Sequence, residues 1–171
     1  EGQVYSVFFD LIGKGWFYPL NRVLLFDSSS QSVKANVFPE GFINKETIRS
    51  MYEDRQHRLF FLPDKGPLFI SSLDMKNYSR YHLHPALHSN SFMSVVDDNA
   101  GYLWLGCDNG LMRTKLGGDS YSIYGFSDGV PSPVFSYAAA FKDHQGRLWF
   151  GNAKGLIYLN EKLRDMMRVD N

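Results

Sequence analysis

The chain has 171 residues, 44% apolar and 16% aromatic, with Lys plus Arg equal to Asp plus Glu at 18 each and a formal net charge of zero. That length buries a sizeable core, the aromatic share suits β-sheet packing, and balanced charge without a basic block argues against nucleic acid as the main partner. The single cysteine, Cys107, excludes an intrachain disulfide. No signal peptide and no apolar run of membrane-spanning length occurs, and a start at Glu1-Gly2-Gln3 without Met reads as a piece cut from something longer.

One short pattern recurs four times: D-L-I-G-K-G-W-F from Asp10, D-R-Q-H-R-L-F-F from Asp54, D-N-A-G-Y-L-W-L from Asp98 and D-H-Q-G-R-L-W-F from Asp143. The aspartates are 44, 44 and 45 residues apart; an aromatic follows each by six positions (Trp16, Phe60, Trp104, Trp149) and Arg22, Gly66, Gly110 or Gly155 by twelve. A period in the mid-forties with strand-like content is the mark of propeller blades. The predicted fold is therefore all-β: a β-propeller fragment of four blades, each a four-stranded antiparallel sheet. One array fills residues 1–171, with blades near 4–39, 47–83, 91–126 and 135–170.

In the first blade Arg22 replaces the glycine of the turn Pro19-Leu20-Asn21-Arg22, so Asn21 is expected to take the positive φ there. Ser28-Ser29-Ser30 reads as a turn. In the second, His57 replaces a turn glycine, which predicts strain or a different turn type. The third blade is the clearest: strand A over Ser91 to Asp97, an Asp98-Asn99-Ala100-Gly101 hairpin turn with the Asp side chain accepting backbone N–H bonds and Gly101 free to take φ > 0, B over Tyr102 to Gly106, a turn at Asp108-Asn109-Gly110, C over Leu111 to Lys115, a turn at Gly117-Gly118-Asp119, and D over Tyr121 to Phe126. The fourth repeats it: A from Phe135 to Phe141, a turn through Gly146, B from Arg147 to Gly151, C from Leu156 to Asn160, and D near Met166 to Val169. Ala138-Ala139-Ala140 reads as strand packed tightly between blades. Leu163 to Val169 can also be read as a helical turn, but the register of the repeats favours a strand.

Aligned, the copies read D-x-x-G-x-[LG]-W-[FL]-G-x-x-x-G-L, which resembles the two-component regulator propeller repeat. The likeness is strongest at Asp98 to Leu111 and Asp143 to Leu156. Asp128-Gly129-Val130 through Phe135, with Leu148-Trp149-Phe150-Gly151 and Gly155-Leu156-Ile157-Tyr158, resembles that family's last blade. The resemblance implies a piece of the periplasmic sensor region of a hybrid two-component system, as in Bacteroidetes. It would be a non-catalytic, carbohydrate-responsive module of an inner-membrane protein whose parent chain carries a histidine kinase, with no cofactor and no membrane contact of its own. Its partners would be an oligosaccharide and the neighbouring blades and domains. Blades host many functions, so a propeller-type lyase or glycoside-acting enzyme, or a stand-alone protein-interaction propeller, stays open. Sialidase Asp-boxes place one residue between Asp and Gly; here there are two.

Candidate chemistry is sparse. Asp10, Asp54, Asp98 and Asp143 could serve acid–base work or a metal, but carboxylates on equivalent turns of different blades are not a catalytic pair, and capping of the turns is the expected role. His82, His84 and His88 have metal-like spacing without a Cys or carboxylate to complete the set. Cys107 closes strand B as a small core residue or, with a depressed pKa, as a reactive thiol. Trp16, Trp104 and Trp149 read as blade core before sugar platforms. Binding in a propeller is expected on the rim that carries the D–A and B–C connections: Asn21, Arg22, Asn44, Lys45, Glu46, Asp64, Lys65, His88, Asn90, Asp108, Asn109, Asn152 and Lys154. An open arc of four blades also leaves two apolar faces bare, which predicts self-association through the first and fourth blades, with Trp16, Phe17, Trp149 and Phe150 in the contact.

Overall fold

A computed structural model describes residues 4–19, 22–35, 38, 46–81, 91–118, 120–159 and 166–169. They form four antiparallel sheets of four strands, each strand bonded to the next in sequence. The first blade comprises β1 (Val4–Phe9), β2 (Gly15–Pro19), β3 (Leu24–Asp27) and β4 (Ser32–Ala35). The second comprises β5 (Ile48–Glu53), β6 (Arg58–Pro63), β7 (Leu68–Ser72) and β8 (Tyr78–Tyr81). β9 (Phe92–Asp97), β10 (Leu103–Cys107), β11 (Leu111–Thr114) and β12 (Tyr121–Tyr124) make the third. β13 (Phe135–Lys142), β14 (Leu148–Asn152), β15 (Gly155–Leu159) and β16 (Met166–Val169) make the fourth. The strand reading of Met166 to Val169 thus holds over the helical one. Among the described residues the helical content is one 3₁₀ turn, Phe126–Asp128. The chain divides into two compact units, Glu1–Tyr81 and His82–Asn171, each holding two blades.

The turns explain why the strands break where they do. In the A–B turns Gly13, Gly101 and Gly146 have φ of 84°, 78° and 80°, and His57 takes the same left-handed region at 57°. The second blade therefore keeps the turn type of the others and carries the strain of a side chain where glycine is at ease. At the B–C turns Gly66, Gly110 and Gly155 are left-handed, whereas Arg22 is not; its N–H reaches back to Pro19 O at 3.4 Å. Asn21, expected to substitute for the missing glycine, lies outside the described residues.

In the first unit the core forms where one face of the first blade meets the second. Trp16 and Tyr18 cluster with Ile48, Leu59 and Phe61, and Trp16 meets Phe61 edge-on at 5.9 Å. In the second unit the fourth blade closes on the third through Phe135: a Cβ built on Gly106 would lie 2.9 Å from Phe135 Cβ. Trp16 and Phe150 are fully buried. Both point into the chain, not onto the open faces expected of them, because side chains alternate along a strand and Phe17 and Trp149 take the outward positions.

Each A strand is irregular against its B strand. β1, β5 and β9 each hold one extra residue. In β13 the interval Phe135 to Ala140 faces only Asn152 to Phe150, three residues more than its partner. Ala138 sits in this bulge, exposed, at φ 54°. The alanine run thus lies within β13, with Ala138 at its bulge and Ala140 paired with Phe150.

Candidate functional site

Two ends of every sheet compete for the role of functional site. At one end stand the A–B turns with the repeated aspartates. Asp98 Oδ1 accepts from Ala100 N at 2.8 Å and Tyr102 N at 2.9 Å, while Oδ2 accepts from Trp104 Nε1 at 3.0 Å. Asp10 binds Ile12 N, Lys14 N and Trp16 Nε1 in the same way. Asp143 binds Gln145 N, Arg147 N, Trp149 Nε1 and Arg147 Nε. Asp54, whose blade has Phe60 instead of Trp, accepts from Gln56 N and Arg58 N, and its Oδ2 accepts from Arg58 Nε at 2.7 Å. Burial raises the Asp143 pKa, but the bonds from Trp149 and Arg147 outweigh it and hold the carboxyl at about 2. These carboxylates are committed to backbone, indole and guanidinium donors, as turn caps require, and are not arranged to shuttle protons.

The tryptophans share that commitment. Trp16 and Trp104 are buried; Trp104 stacks on Tyr124 at 5.4 Å and lies under the Arg113 guanidinium. Trp149 is half-buried, with Tyr158 at 4.9 Å and Arg147 over its ring. Cys107 is buried, and burial, reinforced by the Asp108 charge, pushes its thiol pKa up, the opposite of what a reactive thiol needs. Among the described residues no group of three His, Cys, Asp or Glu could hold a metal; His82, His84 and His88 lie outside them.

At the other end of each sheet are the B–C turns. Arg22, Lys65, Asp108, Asn109 and Lys154 are exposed there and Asp64 is half-buried. Asn152 departs from the rest. It is buried, its Oδ1 accepts from Lys154 N at 2.9 Å and its Nδ2 donates to Ser132 O, so it builds the turn and is not offered to a ligand. Asn21, Asn44, Lys45, His88 and Asn90 lie outside the described residues.

Two inter-blade clasps escaped the sequence reading, both at the residue before the repeated aspartate. Glu53 Oε2 accepts from Leu11 N of the first blade at 2.7 Å while its Oε1 meets His57 Nδ1 at 2.7 Å. Lys142 Nζ donates to Asp97 O and Oδ1 of the third blade at 2.8 and 2.9 Å. No single residue type marks this position, so only the alignment column itself could have pointed to it.

No family model matches the chain, and no curated protein matches it in sequence. Solved structures do match. The chain is similar to the extracellular domain of BT3049 from B. thetaiotaomicron, assigned as a hybrid two-component system, at 21% identity and TM-score 0.72, over 92% of the chain and 22% of that structure. It is similar to the extracellular domain of BT4673 from the same organism, assigned as a one-component system, at 21% identity and TM-score 0.73, over 98% and 25%. YCF48 from Cyanidioschyzon merolae matches at 13% identity and TM-score 0.63, over 98% and 56%. The chain spans about a quarter of the length of the first two. At these identities the likeness establishes the fold alone: the four sheets are propeller-type blades.

Proposed function

We propose that the chain is a non-catalytic sensor module, a piece of the periplasmic propeller of a hybrid two-component histidine kinase, and that it responds to a carbohydrate bound on the B–C rim. The observation that carries this reading is the likeness, over more than nine-tenths of the chain, to extracellular domains assigned to such regulators. The chemistry of the two sheet ends supports it. The repeated carboxylates are already bonded, whereas Arg22, Lys65, Asn109 and Lys154 present exposed donors of the kind that pair with sugar hydroxyls. Ligand binding would act on the kinase through a rearrangement of packed blades and domains.

Calorimetric titration with a panel of plant and host oligosaccharides tests the reading. At least one should bind saturably, and replacing Arg22, Lys65, Asn109 and Lys154 by Ala should weaken it at least tenfold without changing the melting temperature. Binding that survives the fourfold variant, or a panel with no binder, would refute the rim assignment.

A further inference from the structure

The connection from β12 to β13, residues 125–134, joins the third blade to the fourth on the B–C rim. It is tied to B–C turns at both ends. At its start, a Cβ built on Gly110 would lie 2.6 Å from the carbonyl oxygen of Tyr124, the last residue of β12. At its end, Val134 O accepts from Ala153 N at 2.9 Å and Ser132 O accepts from Asn152 Nδ2. Val130 and Ser132 are buried and anchor the second half of the connection.

The first half is built differently. It holds the 3₁₀ turn Phe126–Asp128, and no residue of that turn is buried. Gly125 O accepts from Asp128 N and Val130 N, both at 3.0 Å, and Phe126 O accepts from Gly129 N at 3.2 Å. Asp128 Oδ2 accepts from Gly125 N at 2.9 Å, and Gly129 closes the turn at φ 88°. These bonds fix the backbone and leave the Phe126 ring in water. At 70% exposed it is the most exposed aromatic side chain among the described residues. Both blades that flank the connection are present, so this exposure belongs to the turn and not to an uncovered blade face. A lone exposed apolar residue is ordinary on a protein surface. One carried on a stiff turn is prepared for binding, because a ligand that covers it has little freedom left to remove.

The surroundings of the ring are polar. Asp108, Asn109 and Lys154 are exposed on the two flanking turns, and Asp128 Oδ1 has no hydrogen bond among the described residues. A flat apolar ring bordered by donors and acceptors matches a pyranose. The sugar carries hydroxyls around its edge, and the C–H bonds on its face are slightly positive and suit the negative face of an aromatic ring.

We propose that Phe126 is the stacking platform for one pyranose ring of a carbohydrate on this rim, with the sugar's C–H face against the phenyl ring and its hydroxyl edge toward the polar groups of the flanking turns. This rests on the reading of the rim as a carbohydrate site, and it adds the residue that distinguishes a sugar ring from other hydroxylated ligands.

The oligosaccharide panel, with cellohexaose and xylohexaose in it, is titrated into the unaltered chain and into Phe126→Ala, Phe126→Leu and Phe126→Trp. A sugar that binds the unaltered chain should bind the Ala and Leu variants at least tenfold more weakly and the Trp variant about as well, all at an unchanged melting temperature. Its ring C–H protons should shift upfield in NMR spectra on binding the unaltered chain and should not do so with Phe126→Leu. Full affinity in the Leu variant, or binding without the upfield shift, overturns the platform and leaves the rim reading standing. A panel in which nothing binds the unaltered chain overturns the rim reading and the platform with it.

Discussion

At the scale of single residues the repeated aspartate does most to hold a blade's shape, and its ionised form does the holding. Asp143 has a folded-state pKa of about 2 against an ordinary 3.8. A carboxyl depressed on folding contributes stability above its unfolded pKa, and that contribution fades as pH falls through the folded one. The fourth blade should therefore lose stability between about pH 4 and pH 2. In acid titrations followed by tryptophan fluorescence, Asp143→Asn should flatten this segment of the profile; an unchanged profile would remove Asp143 from the account. The aspartate, its tryptophan and the turn glycines were legible in the sequence because each recurs in place. The clasp position was not, since Phe9, Glu53, Asp97 and Lys142 occupy it in turn. His57 was legible as a departure but not in its outcome: a left-handed turn kept at a cost of about 1–2 kcal/mol, with the Glu53 contact on hand to offset part of it.

At the scale of elements, the strands follow from the turns that separate them, but which strand faces are covered does not. Every residue of β10 is buried, while β14 alternates buried and half-buried positions. A continuous buried run marks a strand covered on both faces and alternation one covered on a single face. The two strands read alike in sequence, L-W-L-G and L-W-F-G, because coverage is set by the neighbouring sheet. For the same reason Trp16 is buried and Trp149 half-buried at one repeat position. The bulge of β13 was hidden by composition: Ala138 looks like strand, and only the register reveals the extra residues. Packing at Gly106 makes a sharp test. Gly106→Val pushes a side chain against Phe135 and should cost about 1–3 kcal/mol by overpacking in chemical denaturation. Gly125→Ala, with nothing within 4 Å of the added carbon and φ −128°, should stay within about 0.5 kcal/mol. Equal costs would mean that the third and fourth blades do not depend on that contact.

At the scale of the whole molecule each sheet carries bonded aspartates at its A–B end and exposed polar groups at its B–C end, and the proposed function assigns ligand reading to the second of these. The repeat made the scaffold legible, whereas the rim follows from topology alone and has no motif of its own. Hydrogen exchange read by mass spectrometry, with and without an oligosaccharide that binds, tests this division most directly. The account predicts slowed exchange around Arg22, residues 64–65, residues 108–109 and residues 153–154, unchanged exchange at the turns after Asp10, Asp54, Asp98 and Asp143, and the sugar recovered intact. Protection concentrated at the aspartate turns, or a sugar returned cleaved, would contradict it.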